Sequence, residues 1–224
     1  MPNRQRAILI LVSLSLLAVA SFGLALMVGS YQVAPAEVLA ALLGQAGGAG
    51  DIVLQLRLPR ALAGFACGGL LALAGALMQV LLRNPLADPY VLGISGGAGV
   101  GAMFAILIGL PTLGIDGLAF AGALGAMFLV FGLAHGDGSW TQTRLLLTGV
   151  IVAAGCGALV ALMLSIAPDT KLRGMLFWLM GDLAQAGSSW PPLLALAIAL
   201  TLAMPFAREL NLLARGMMQA QALG

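Results

Sequence analysis

Residues 57–101 decide the fold. They read Arg57-Leu58-Pro59-Arg60, then an apolar run from Ala61 to Leu82, then Arg83-Asn84-Pro85-Leu86-Ala87-Asp88-Pro89, then a glycine ladder at Gly93, Gly97 and Gly101. The apolar run holds no charge, and Gln79 is its one strongly polar residue. At about 1.5 Å per residue it reaches the roughly 30 Å needed to cross a bilayer. Pro59 has no donor N–H and suits a first helical turn, which predicts a helix over about 60–82 with Arg57 and Arg60 on one side of its start. Asn84-Pro85 and Asp88-Pro89 bias the chain away from helix, so that helix ends near Arg83. The glycine ladder then opens a second helix built for tight packing.

The rest of the chain has the same character. Hydrophobic residues make up 61% of it and charged residues 8%, with a mean hydropathy of +1.07. Soluble domains carry about 25% charge, and a globule of this size could not cover its surface with so little. The expected class is an all-α polytopic membrane bundle. The net charge of +2, with no Lys/Arg block, gives no reason to expect nucleic acid as a partner. The 31 glycines lack a three-residue period and fall inside apolar runs. Cys67 and Cys156 also lie in apolar runs, without a nearby His or Cys, and read as small core residues.

Six membrane helices are expected, over about 7–27, 60–82, 91–110, 118–133, 144–166 and 190–206. A short helix starts at Pro35. Residues 44–50 read as a flexible loop, 111–117 as a turn, and 135–143 and 168–173 as polar loops. Residues 175–180 read as a half-buried interfacial helix, and 208–224 as a short surface helix. With the N-terminus in the cytoplasm, Arg4, Arg6, Arg83, Arg144, Arg208 and Arg215 fall inside, and Arg57, Arg60, Lys171 and Arg173 outside. The bias has the sign of the positive-inside rule but is weak, so the outer cations need another reason. Small residues recur every four positions in three stripes: Gly64, Gly68, Ala72 and Ala76; Gly93, Gly97 and Gly101; Gly149, Ala153, Gly157 and Ala161. Close helix packing is the plain reading of each, and pathway lining the alternative.

The apolar spans hold no Asp, Glu, Lys or His. Ion-coupled carriers place ionisable groups at membrane depth because something there must bind the ion, so proton-driven transport is disfavoured. No catalytic or metal-binding set is legible: the one histidine, His135, stands in a loop without a second ligand nearby. No cofactor is implied. No Walker A motif exists, since the one lysine, Lys171, follows no glycine-rich loop. If ATP drives transport, another chain binds it. Gln79 should face protein or a water-filled path, as an interhelical hydrogen bond or as pathway lining.

Arg57-Leu58-Pro59-Arg60, Gly68, Gly75, Gln79 and Asn84-Pro85-Leu86-Ala87-Asp88-Pro89-Tyr90-Val91-Leu92-Gly93-Ile94 closely resemble the FecCD family of permease subunits in bacterial ABC importers for ferric siderophores, haem and vitamin B12. Arg144-Leu145-Leu146-Leu147-Thr148-Gly149, Phe177-Trp178-Leu179-Met180-Gly181 and Leu210-Asn211-Leu212-Leu213 fit the same pattern, so the resemblance covers nearly the whole chain in order. It implies a periplasmic substrate-binding protein, a second permease subunit, most simply in a homodimer, and separate ABC ATPase subunits at the inner membrane. Arg57 and Arg60 match outer-mouth arginines that pair with glutamates of the binding protein, which supplies a reason for cations outside; headgroup anchoring is the bland alternative. Asn84, Pro85, Asp88 and Pro89 form the turn motif, and Gly68, Gly75, Gln79, Gly93, Gly97 and Gly101 fall to pathway or packing. The tail resembles the cytoplasmic coupling element, with Asn211, Leu212, Leu213, Gly216, Ala220, Leu223 and Gly224 expected to meet the ATPase. Met217 stands where the family usually has an acid, and Arg215 where an apolar residue is common.

The resemblance implies about ten helices and one permease domain, whereas this sequence stops at Gly224 in mid-motif and reads as a partial chain. Residues 1–224 are expected to form a single transmembrane domain of an importer of metal chelates. A secondary carrier or channel of similar helix count, and a non-transporting fragment, are the rival readings. The motifs do not separate siderophore, haem and cobalamin.

Overall fold

The computed structural model describes residues 4–45, 48, 50–136, 139–183 and 189–214. Five helices in it are long and apolar enough to cross a bilayer: Arg4–Met27, Ile52–Leu81, Thr112–Ala134, Gln142–Ile166 and Trp190–Leu213. The polytopic all-α expectation therefore holds. The chain divides into two compact units, one of Met1–Leu70 with Leu183–Ala199, the other of Leu71–Asp182 with Leu200–Gly224.

In the first unit, α1 (Arg4–Met27) is apolar on every side, and Leu9, Leu11, Leu16 and Val19 are 65–72% exposed. A helix of this kind suits lipid rather than water. The short α2 (Pro35–Leu42) begins on a proline, and Glu37 Oε2 accepts from the Ala34 N–H at 3.0 Å, satisfying a donor at the helix entry. Leu26, Val33, Val38, Ala41 and Val53 make a small core where α1, α2 and residues 52–57 meet.

The helix expected from Arg60 starts earlier. A π-helical turn, Ile52–Arg57, runs directly into α3 (Leu58–Leu81), so Pro59 is interior to a continuous helix and not in its first turn. An interior proline removes one backbone bond, and its ring crowds the carbonyl four residues back. The wider π turn, closed by the Leu58 N–H on the Val53 carbonyl, relieves that crowding. Apolar periodicity did not reveal this start, because Gln55 and Arg57 interrupt it.

In the second unit, α3 ends as expected. The Asn84 N–H donates to the Gln79 carbonyl at 3.1 Å and the Arg83 N–H to the Val80 carbonyl at 3.2 Å. This pair of bonds is a Schellman closure, with Arg83 in the left-handed position at φ 46°. A 3₁₀ turn, Pro89–Leu92, leads into α4 (Ile94–Ile108). The third expected helix is thus shorter than the expected 91–110: left-handed glycines at Gly93 and Gly109 bound it on either side, and its 15 residues cover only about 22 Å.

Three further boundaries differ. The turn expected at 111–117 is helical, since α5 (Thr112–Ala134) starts immediately after Pro111, whose carbonyl accepts from the Gly114 and Ile115 N–H groups. The loop expected at 135–143 contains a minimal hairpin, β1 (His135–Gly136) paired antiparallel with β2 (Ser139–Trp140), before α6 (Gln142–Ile166). Thr141 Oγ1 accepts from the Arg144 N–H at 3.3 Å and caps α6. The loop expected at 168–173 is the first half of α7 (Asp169–Met180), where a proline at the cap and an acid in the first turn favour helix.

The last expected helix is divided. Its main part, α8 (Trp190–Ala203), gives way to a 3₁₀ turn at Met204–Phe206 and then to α9 (Ala207–Ala214). Pro205 lies in that turn, where it cannot donate a regular helical bond.

The glycine ladder packs α4 against two neighbours. A Cβ placed on Gly97 would stand 2.5 Å from Ala126 Cβ and collide with the Gly122 carbonyl of α5. One on Gly101 would collide with the Leu118 carbonyl, and one on Gly96 would lie 2.8 Å from Cys156 Cβ on α6. Gly149 of α6 lies directly against the Val91 carbonyl. Ala102, Met103, Ala119 and Met175 fill the space where α4, α5 and α7 meet. Other members of the stripes do less: Gly68 and Gly157 touch nothing described within 4 Å of a built Cβ. Cys67 is exposed on α3 and is not a core residue; Cys156 is half-buried.

Candidate functional site

Two of the four cations expected outside close helix ends. The last carbonyls of a helix have no partner within it, and neither α1 nor α4 carries a basic residue in its last turn. Arg57, from the π turn, serves α1. Its Nη1 donates to the Leu26 and Met27 carbonyls, each at 2.8 Å, and its Nη2 donates to the Tyr31 carbonyl. Lys171, from α7, serves α4, with Nζ donating to the Leu107 carbonyl at 2.6 Å. Both side chains are half-buried. Their partners lie far away in sequence, so sequence reading missed these roles, although the solitary lysine was a signal.

Arg60 differs from its neighbour. It is exposed and has no hydrogen bond or ion pair among the described residues. Arg57 and Arg60 line a cavity of about 820 Å³ between α1 and the start of α3, walled by Phe22, Leu56 and Phe65, with no acid in its lining among the described residues. The two arginines share this edge, but the structure commits only the first to the protein's own backbone.

The Asn-Pro and Asp-Pro steps act locally. Asn84 Oδ1 accepts from the Leu86 N–H at 2.9 Å, and Asp88 Oδ1 accepts from the Tyr90 N–H at 2.7 Å. Each forms an Asx turn across its proline, Pro85 or Pro89. Asp88 thereby caps the 3₁₀ turn that sets Gly93 beside α6, where a Cβ on Gly93 would lie 3.2 Å from the Ala153 nitrogen.

Gln79 is exposed on α3, and its side chain has no hydrogen-bond partner among the described residues. Gly68 is exposed as well, and a Cβ on Gly75 would reach only Pro89 Cδ, at 3.9 Å. In the tail, Asn211, Leu212 and Leu213 belong to α9; Gly216, Ala220, Leu223 and Gly224 lie outside the described residues.

This order of elements is shared with known proteins. The sequence profile of the FecCD transport family matches residues 16–224. The chain belongs to the FecCD transport family. Among curated relatives of this FecCD chain, the cobalamin import system permease protein BtuC of Halobacterium salinarum is 39% identical over 180 residues, covering 77% of this chain and 47% of that protein. The vitamin B12 import system permease protein BtuC of Salmonella typhimurium is 37% identical over 229 residues, covering 99% of this chain and 67% of that one. A solved structure of a transporter assigned to the metal-chelate ABC type, in an inward-facing conformation, matches with TM-score 0.74 and 30% identity over 96% of this chain and 66% of that chain. The FecCD chain thus spans between about half and two thirds of the length of these relatives.

Proposed function

We propose that this FecCD-family chain acts as a transmembrane permease subunit of an ABC importer, and that its cargo is a cobalamin-type metal chelate. The observation that carries the reading is the family match from residue 16 to 224, joined to relatives named as vitamin B12 and cobalamin import permeases. The apolar runs as read from the sequence hold no Asp, Glu, Lys or His that could couple transport to an ion, and Asp116 and Glu209 stand near the ends of the observed spans Thr112–Ala134 and Trp190–Leu213. On this reading ATP is hydrolysed by separate ATPase subunits, and a periplasmic binding protein delivers the chelate.

The roles follow. Residues 1–224 form one permease domain in the inner membrane with the N-terminus cytoplasmic. Arg60, with Arg57 beside it, meets acidic residues of the binding protein, because an exposed guanidinium recognises carboxylates through a rigid fork of donors. Exposed Gln79 and Gly68 face the pathway or the second permease subunit of a homodimer. The coupling element begins in α9 at Asn211, Leu212 and Leu213 and continues through Gly216, Ala220, Leu223 and Gly224 to the ATPase.

The test is uptake of radiolabelled cyanocobalamin into cells lacking their own permease and supplied with this chain's complete transport system. Uptake abolished by a Walker-site change in the ATPase supports the reading. Uptake that survives that change and follows the proton gradient supports a secondary carrier. Uptake of a ferric siderophore but not of cyanocobalamin retains the importer and replaces its cargo.

A further inference from the structure

We infer that Arg83 and Arg144 together hold the phosphate of an anionic phospholipid at one end of the second unit. The inference goes beyond the function proposed above: it needs a chain that spans a membrane, and it involves neither the cargo nor a partner protein.

Three observations carry it. First, the two residues share one place. Leu82 and Leu145 are buried in the same cluster, with Met78 of α3 and Val130 and Ala134 of α5, and Arg83 and Arg144 are their immediate neighbours in sequence. Second, each arginine stands where its own backbone disfavours it. Arg83 is the one described residue of positive φ that is not glycine; Gly44, Gly93, Gly109 and Gly181 hold the other such positions. Glycine would form the turn at 83 without strain. Arg144 is the third residue of α6, in a first turn that carries no acid. That turn is the positive end of the helix dipole, which favours acids and repels cations. Third, both side chains are exposed, and neither guanidinium has a hydrogen bond or ion pair among the described residues. Asp88, the acid nearest to Arg83 in sequence, turns its Oδ1 to the Tyr90 N–H instead. A residue that breaks a local rule with nothing in the fold to offset it points to work done by its side chain elsewhere.

Depth selects the anion. One membrane-length segment ends at Leu81, and another is Gln142–Ile166. Arg83 lies just past the first and Arg144 in the opening turn of the second, so both guanidinium groups stand at headgroup level. Phosphate diesters are concentrated there, and a guanidinium offers a rigid fork of donors that matches phosphate. Two cations without a committed acid favour a headgroup of net negative charge, as basic groups between helix ends do. A choline or ethanolamine headgroup brings its own cation and is held less well. Leu81 and Leu147, 52% and 60% exposed, give apolar surface for acyl chains on the membrane side of each arginine. Exposed Tyr90 adds an aromatic ring suited to the same level. A free phosphate ion shares the headgroup chemistry but makes no use of that apolar surface, so the site is assigned to lipid.

The experiment titrates the complete protein in detergent with phosphatidylglycerol or phosphatidylcholine and reads bound lipid by native mass spectrometry. Phosphatidylglycerol should bind the parent more tightly than phosphatidylcholine. Arg83→Gln and Arg144→Gln should each weaken phosphatidylglycerol about fivefold, the factor that one basic residue near an anionic lipid contributes, and leave phosphatidylcholine unchanged. Arg173→Gln, on α7 beside the last turn of α4, removes the same charge elsewhere and should change neither. In parallel, unfolding midpoints are measured in nanodiscs. In phosphatidylcholine alone, Arg83→Gly should melt no lower than the parent, because it relieves a strained position. With phosphatidylglycerol added, the parent midpoint should rise and that of Arg83→Gly should not, since only a bound ligand stabilises. The variant is folded in the first lipid, so a missing response in the second is not a folding defect. Equal affinity for the two lipids, equal weakening by Arg173→Gln, or the same rise in Arg83→Gly as in the parent would each overturn the site. Displacement of phosphatidylglycerol by excess inorganic phosphate would overturn the assignment to lipid.

Discussion

Lys171 Nζ donates to the Leu107 carbonyl at 2.6 Å, across 64 residues of sequence. The bond ties the first turn of α7 to the last turn of α4. A Cβ placed on Gly109, which terminates α4 at φ 79°, would lie 3.7 Å from the same ammonium. Lys171→Met should therefore lower stability by about 1.5–3 kcal/mol, the range for a hydrogen bond to a charged group. It should also raise amide exchange in α7 selectively. Uniform change across α4–α7 in a hydrogen-exchange map, or none, would count against this anchoring role.

Glycine-to-alanine changes should sort by contact. Gly97→Ala, Gly101→Ala and Gly149→Ala each place a methyl group against a neighbouring backbone that has no room for it. Each should cost about 3 kcal/mol or more, since backbone cannot move aside as a side chain can. Gly125→Ala and Gly157→Ala meet nothing described within 4 Å and should be neutral or stabilising by about 0.5–1 kcal/mol through helix propensity. Thermal melts of the five single variants provide the comparison. A large cost at Gly125 or Gly157 would reveal a neighbour from another subunit.

Arg83 occupies the left-handed position that ends α3, at φ 46°, where glycine is usual. The conformation costs an L-residue about 1 kcal/mol. Arg83→Gly should raise the unfolding midpoint slightly, whereas Arg83→Val should lower it by more, because a branched side chain tolerates this region worst. If Arg83→Gly instead lowers the midpoint, the guanidinium makes a compensating contact, for example with lipid phosphate.

The two Asx turns predict a chemical rather than a charge requirement. Asn84 and Asp88 each use one side-chain oxygen as acceptor, at 2.9 and 2.7 Å. Asn84→Asp and Asp88→Asn keep that oxygen and should be tolerated. Asn84→Ala and Asp88→Ala should each cost about 1 kcal/mol, the usual value of a lost cap. Loss of transport in Asp88→Asn with unchanged stability would show that the carboxylate charge has a second task.

The spans were legible because their apolar runs have membrane length, and the turn at 84–89 because proline and Asx leave few alternatives. The ladder Gly93, Gly97 and Gly101 was readable as a packing face, but its two partners were not, since α5 and α6 carry several glycines and only contact separates Gly122 from Gly125. The helical starts at Ile52, Thr112 and Asp169 were hidden by prolines and charges that normally mark breaks. The roles of Arg57 and Lys171 were out of reach for a simpler reason. A cation that caps another helix leaves no local pattern, because its acceptor is a backbone carbonyl that every residue type provides.

The π turn before Pro59 carries a consequence for how the family can vary in length. Successive residues of an α-helix differ by about 100° around the axis. The wider turn holds one residue more than ordinary winding would over nearly the same total rotation. Removing one residue between Ile52 and Arg57 would therefore restore ordinary winding with the flanking helix close to its present phase, and Val53, 0% exposed in its core, would keep its neighbourhood. The cost would fall on Pro59, whose ring would again crowd the carbonyl four residues before it. Related chains that are one residue shorter here should therefore also lack the proline, whereas any other change of length in this segment would rotate one side of the helix against the other.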